Sequence, residues 1–345
     1  MSESLKVSVI IPTKHRPEAL GRVVQSIAAQ TVSARTLIIV DQSEDDRSRQ
    51  RVEKELQSLA SQDRPTLELQ YIHDASIVGA AMARNRAMET ACDDIWLFLD
   101  DDVVLEPTFI QEIQNVYRAD HGVDGVSGII TNYPRPPRGS YYWNAVFMLG
   151  PFHDERQPIY WRADALRDSP PVAATRFGCG LMSFRKSVLR GLTFDQNLDT
   201  NLKGVSDGED VDLCQRLPSG SKLLIAPRAR LAHYHDPAGR LLDHWLRRHS
   251  RANVFLFLKH WNAGISNKLL YRWLWIGYLL AALAASLKRM SAEPWRALRA
   301  GAQEGRAAFA SAGKIAGTNA RGTRPGAYAR RPERDGSIRD HAREP

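Results

Sequence analysis

Five short apolar runs, separated by stretches with helical spacing, constrain this chain more than anything else in its sequence. They are KVSVIIP (6 to 12), TLIIVD (36 to 41), LELQYI (67 to 72), IWLFLD (95 to 100) and DGVSGIITN (124 to 132). Each is short and rich in β-branched or aromatic residues, which is the signature of a buried strand. Between the first two, Pro17 opens a stretch in which Leu20, Val23, Val24 and Ile27 fall at helical spacing. A polar helix is expected through about residue 62, an alanine-rich one (AAMARNRAMETA) follows Gly79, and Pro107 starts another. Four βα units in series predict an α/β fold, with a mostly parallel sheet covered by helices on both faces.

From Tyr133 the pattern changes. YPRPPRGSYYWN is a proline-rich aromatic stretch read as a loop that no regular element can hold, of the kind that frames a cleft. Mixed structure is expected up to residue 238 and a helix over about 239 to 260. This divides the chain into a first half at about 1 to 132, a second at 133 to 260, an apolar helical segment at 261 to 290 and a basic tail at 291 to 345. In the apolar segment, Trp273 to Leu287 is uncharged, shorter than the ~20 residues a bilayer span needs. A packed helix, an interfacial helix and a short span all fit it; the basic residues that follow favour peripheral contact with the cytoplasmic membrane face.

Net charge is +8, of which +7 lies from Lys288 onward, where 13 Lys and Arg face six Asp and Glu. One Trp, one Phe and one Tyr in that stretch are too few for a base-stacking platform, so no nucleic-acid partner is expected. The last thirty or so residues read as a solvated, disordered extension. Three cysteines without a CxxC pair (Cys92, Cys179, Cys214) fit core thiols in a reducing compartment. The opening MSESLKVSVIIP carries no basic stretch followed by a long apolar run, so the expected location is the cytoplasm.

In open parallel sheets, ligands collect at the carboxyl ends of strands, and WLFLDDD places three acids there. Along extended backbone, Asp100 and Asp102 share a face and Asp101 turns away. Two carboxylates side by side suit a hard cation, Mn²⁺ or Mg²⁺, that keeps positions open for a diphosphate; a solvated acidic turn is the plainer alternative. VDQSEDD repeats the pattern, with Asp41 either accepting hydrogen bonds from a nucleoside or belonging to a helix cap. PTKHRP leaves Pro12, Thr13 and Arg16 at the same sheet edge. GEDVDLCQRL puts Glu209 and Asp210 in a first helical turn, where acids are stabilised by the dipole or can serve as a general base. His233 and His235 lie on one strand face, and Gly178 and Gly180 around Cys179 suggest close backbone approach to a ligand or a strand.

Taken in order, these motifs resemble the family 2 glycosyltransferases of GT-A fold over about residues 5 to 260. SVIIPTKHRPEAL resembles the family's opening strand and turn, IIVDQSEDD its nucleoside-binding acidic segment, GAAMARNRAMETACDDIWLFLDDDVVLEP its Arg-Asn helix and DXD strand, and GEDVDLCQRL its ED motif. The resemblance implies an inverting transfer from a nucleotide-diphospho-sugar to a hydroxyl of a glycan or lipid-linked glycan, in surface polysaccharide or glycolipid assembly. It implies donor contacts from Pro12, Thr13, Arg16, Asp41, Arg84, Asn85, Asp100 and Asp101. It also implies a metal on Asp100, Asp102 and His233, and Asp210 as base with Glu209 beside it. Gly178, Cys179, Gly180 and Trp143 are expected on the acceptor side. Gln42 stands where many members have a second Asp, and Lys14-His15 replace an aromatic-Asn pair. FLDDDVV also resembles the nucleophile strand of haloacid-dehalogenase-like phosphohydrolases; that family usually carries it first, and here it comes fourth. A non-catalytic nucleotide- or glycan-binding module is the remaining alternative.

Overall fold

The computed structural model describes residues 5–59, 67–132, 138–143, 146–147, 166–178, 180–198, 208–234, 242–262 and 268–319. The first apolar runs form strands β1 (Val7–Thr13), β2 (Thr36–Asp41), β3 (Glu68–His73) and β4 (Ile95–Leu99). They pair in parallel in the order β3-β2-β1-β4. Chain direction across the sheet reverses around β1, which leaves a crevice between the carboxyl ends of β1 and β4.

Alternation along the strands fills both faces. Val9, Ile11, Leu37, Ile39 and Leu97 pack under Leu20, Val23 and Ile27 of α1 (Pro17–Ala28), Val52 of α2 (Arg47–Leu59) and Ile110 and Ile113 of α4 (Phe109–Ala119). Ile10, Ile38, Val40 and Phe98 point the other way, onto Ala81, Ala83 and Ala87 of α3 (Ala80–Met88) and Leu213 of α6 (Glu209–Arg216). Alanines on α3 let its backbone come close to the sheet. Burying such strand residues contributes about 1.5–3 kcal/mol for each large side chain.

Beyond β4 the sheet is mixed. Strand β5 (Val103–Leu105) follows the aspartates directly and pairs antiparallel with β9 (Lys222–His233); β8 (Leu181–Arg185) runs antiparallel between β4 and β6 (Val123–Ile130), and β7 (Val172–Ala174) antiparallel to β9. The only parallel pair in this half joins β6 and β9 among the described residues.

Two expectations need correction, and one segment without an assigned structure is placed. Part of the aromatic stretch is helical, as α5 (Arg138–Trp143), because the prolines end at Pro137 and nothing after them blocks a helix; 133–137 lie outside the described residues. The basic tail begins as a long helix: after α7 (Leu242–Asn262) and α8 (Lys268–Arg289), α9 (Glu293–Asn319) packs along α7 through Gly301 and Gly305, which abut the carbonyls of Arg247 and Arg251. Finally, Cys92 is exposed, whereas Cys214 is buried and its thiol is pushed up to about 12 by that burial.

Candidate active site

Register assembles the acids. Ile10 pairs with Phe98 in the parallel β1–β4 ladder, so Thr13 comes level with Asp101, and its hydroxyl donates to Asp101 Oδ2 at 2.7 Å. Val103 pairs with His233 across β5 and β9, which returns the end of β9 to the aspartates. His233 Nε2 lies 2.8 Å from Asp102 Oδ1 and 3.7 Å from Asp100 Oδ2. The ligand atoms of Asp100, Asp102 and His233 all fall within 4.8 Å of one another. Asp101 turns the opposite way, between Thr13 and Arg16, and burial raises its carboxyl to about 6 against the lowering effects of the Thr13 hydroxyl and the Arg16 cation. Arg16 Nη1 also donates to Asp102 Oδ2 at 3.2 Å.

Gly180 sits opposite Asp100 because Leu99 pairs with the next residue, Leu181. Its φ of +95° belongs to glycine, and a Cβ there would come 2.6 Å from Asp100 Oδ2 and 3.4 Å from His233 Cε1. The backbone therefore closes one side of the acid–imidazole group. Gly178 is half-buried, and Cys179 and His235 lie outside the described residues.

A cleft of about 510 Å³ opens over this group, lined by Pro12 to Arg16, Gln42, Gly79, Ala80, Asp100 to Asp102 and His233, a size suited to a small-molecule ligand. The amino end of α3 faces it at Gly79 and Ala80, the positive pole of a helix dipole. His15 adopts a φ of +54° on the cleft wall, with its N–H on the Ser43 hydroxyl at 2.8 Å and its ring against Glu44. Such strained backbone gathers at functional sites.

Several expected contacts fall elsewhere. Asp41 is fully buried: Oδ1 accepts the Ser43 N–H and hydroxyl, and Oδ2 accepts the Tyr71 hydroxyl at 2.6 Å, which with burial pushes that phenol up. Gln42 is the residue of this segment that reaches the cleft, with its carbonyl accepting the Gly79 N–H at 2.6 Å. Asn85 exchanges two hydrogen bonds with the backbone of Phe194, so its amide pins that segment and does not face the cleft. Arg84 lies behind the acids, 2% exposed, joining Asp100 (2.9 Å) to Glu209 (3.1 Å). Trp143 packs against Trp245 and Tyr278 and donates its indole N–H to the Gly277 carbonyl, away from the cleft lining. Asp210, next to Glu209, is half-buried. Lys14, His15, Gln42, Gly79 and Ala80 are the cleft residues not expected as site residues from the sequence, although Lys14, His15 and Gln42 are marked as departures from the family's pattern.

The architecture is the GT-A glycosyltransferase fold: a central sheet with helices on both faces, an Asp-rich turn at the carboxyl end of an inner strand and a helical C-terminal part. The mannosyltransferase PcManGT from Pyrobaculum calidifontis, solved with GDP-Man and Mn²⁺, shares the fold at 20% identity, with a TM-score of 0.55 over 93% of this chain and 81% of its own. TarS 1-349 from S. aureus is 15% identical, with a TM-score of 0.49 over 78% of this chain and 69% of its own. No curated sequence matches the chain. The glycosyl transferase family 2 model matches residues 8–190, more than half of the chain, and the chain belongs to that family. Membership removes the phosphohydrolase alternative.

Proposed function

We propose that this chain is an inverting glycosyltransferase that moves a sugar from a nucleotide-diphospho-sugar to a hydroxyl of a glycan or lipid-linked glycan, with a divalent cation held by Asp100, Asp102 and His233. The observation that carries this reading is the convergence of two carboxylates and an imidazole within 4.8 Å at the mouth of the cleft. The donor set fits such an ion: carboxylate oxygens suit Mg²⁺ and Mn²⁺, and the imidazole nitrogen favours Mn²⁺, since Mg²⁺ takes oxygen ligands. When bound, the cation offsets the charge that grows on a departing diphosphate.

The chain's own residues do the rest. Arg16 and the amino end of α3 add positive potential where the diphosphate lies. Thr13 and Arg16 fix Asp101, and Arg84 fixes Asp100 against Glu209, so the carboxylates are held in place before the donor arrives. Glu209 pairs with Arg84, and Asp210 beside it in the first turn of α6, with Oδ1 accepting the Val211 N–H at 2.7 Å, is the carboxylate assigned to take the proton from the acceptor hydroxyl. Attack from the face opposite the leaving diphosphate inverts the anomeric carbon, through an oxocarbenium-like state.

The test is thermal unfolding with UDP, dTDP or GDP, with and without Mn²⁺, since a ligand of the native state raises its apparent stability. One nucleotide should stabilise the protein only with metal, and Asp102→Asn should remove the effect. Asp210→Asn should keep the stabilisation and lose transfer. No response to any nucleoside diphosphate in Mn²⁺ would sink the reading.

A further inference from the structure

Helix α8 has two unlike sides. Leu274, Gly277, Tyr278 and Ala282 are buried on the body of the protein, and the Asn253 amide ties the Tyr278 hydroxyl to α7 at 2.8 Å. The opposite side is bare: Leu269, Ile276, Leu279, Leu280, Leu283 and Leu287 are all 41% or more exposed. At 100° per residue these six fall within one arc of the helix. Met290, 91% exposed, and Trp295, 44% exposed, extend the patch into the turn and α9. An apolar stripe that runs about five helical turns from Leu269 to Leu287, broken only by Arg272 among its exposed positions, marks an interaction surface.

Charge decides what covers it. From Lys268 through Ala292 there is no acidic residue, while Lys268 precedes the stripe, Arg272 lies within its arc, and Lys288 and Arg289 close it. Arg296 and Arg299 follow on α9, and residues 320–345 add seven arginines against four acids. A second copy meeting this face about a two-fold axis would set cations against cations. An anionic lipid surface takes both the leucines and the cations. Exposed tryptophans stand at either end, Trp261 under the Lys268 ammonium at 4.0 Å and Trp295 beyond Met290, as suits the headgroup level. By length and composition α8 is long and apolar enough to cross a bilayer. Its inner side, however, is packed on the body along its middle, and α9 beside it carries Glu304 paired with Arg247, which argues for one side offered to lipid in the interface.

We propose that the outer face of α8 is a membrane-docking surface that lies in the interface of an anionic phospholipid bilayer. The proposal stands on this face alone and does not depend on the transfer reaction. The experiment is co-sedimentation of the full chain with vesicles of phosphatidylcholine alone or mixed in equal parts with phosphatidylglycerol. Binding should favour the anionic vesicles by about tenfold or more and weaken in salt without vanishing, since the leucines contribute a share that salt does not screen. The double variant Leu280→Asp, Leu283→Asp should stay in the supernatant while its circular dichroism and unfolding midpoint match those of the parent. Should that variant fail to fold, Arg272→Glu with Lys288→Glu should abolish the preference for phosphatidylglycerol and leave the apolar contribution. A parent chain that stays in the supernatant with anionic vesicles overturns the proposal. So does equal sedimentation of parent and variants, and so does a dimer in light scattering that the leucine substitutions break while no vesicle binding is seen.

Discussion

One methyl group at residue 180 would meet a carboxylate. Gly180 holds a φ of +95° and a Cβ there would sit 2.6 Å from Asp100 Oδ2 and 3.1 Å from its Cγ. Gly180→Ala should therefore push Asp100 away from Asp102 and His233, with Mn²⁺ affinity falling about 10–100-fold. Unfolding by urea should show a loss of about 1–3 kcal/mol from the strained backbone. An unaltered Mn²⁺ titration in a folded Gly180→Ala protein would contradict the assigned ligand group. Which side chains face the cleft was legible where the cause is local. Asp100 and Asp102 share a face because an extended chain alternates, and that needs no knowledge of distant residues. Asp41, Asn85 and Arg84 were not legible, because their partners come from 30, 109 and 125 residues away: Tyr71, Phe194 and Glu209. A carboxylate at a strand end looks the same in sequence whether it turns to a ligand or to a neighbouring tyrosine.

Elements α6 and α7 are joined by one buried carboxylate. Asp212, on the same helix as Glu209 and Asp210, is fully buried with Arg216 Nη2 at 2.7 Å, Lys259 Nζ at 2.6 Å and His260 Nε2 at 3.1 Å; Lys259 reaches on to Asp195 at 2.7 Å. Burial alone would raise this carboxyl, but the close His260 ring and the charges of Lys259 and Arg216 outweigh it and hold it well below the usual range. A carboxyl depressed in the folded state contributes stability that is present above its unfolded value, about 4, and is lost as pH falls through the folded one. Asp212→Asn should cost about 3–5 kcal/mol near neutrality, where it leaves Lys259 and Arg216 facing an uncharged amide. The gap to the parent should narrow on acidification, in urea unfolding at about pH 7 and about pH 3. A gap independent of pH would mean that the carboxylate charge does not hold α6. The βα units were readable because each strand and helix carries its own period, whereas α9 was hidden: its contact with α7 is made by Leu298, Gly301, Ala302 and Gly305, and small residues leave little apolar signal. Gly301→Leu should force the two helices apart and lower stability by about 1–3 kcal/mol in thermal unfolding.

Across the whole molecule, described residues that follow β6 touch both the end of β9 and helix α8. Asn132, at the end of β6, exchanges hydrogen bonds with the backbone of His233 at 2.8 and 3.0 Å. A few residues further on, Trp143 donates to the Gly277 carbonyl of α8 at 2.9 Å and Trp273 donates to the Val146 carbonyl at 2.8 Å. Phe147 fills the space over Gly277, where a Cβ would lie 2.6 Å from its Cγ. The chain is thus held at Asn132 by the backbone of His233 and at Trp143 and Val146 by α8. Gly277→Val should displace Phe147 and loosen the Trp143 contact without touching β1 to β4. Hydrogen exchange should then accelerate at 138–143 and 146–147 while the strand amides keep their protection. Under the proposed reaction, KM for the acceptor should rise and nucleoside-diphosphate stabilisation should stay as in the parent, because the donor cleft is built from Pro12 to Arg16, Gln42 and the aspartates. Unchanged exchange at 138–147 would show that α8 does not hold this segment; faster exchange with unchanged acceptor kinetics would show that the segment is held but does not guide the acceptor.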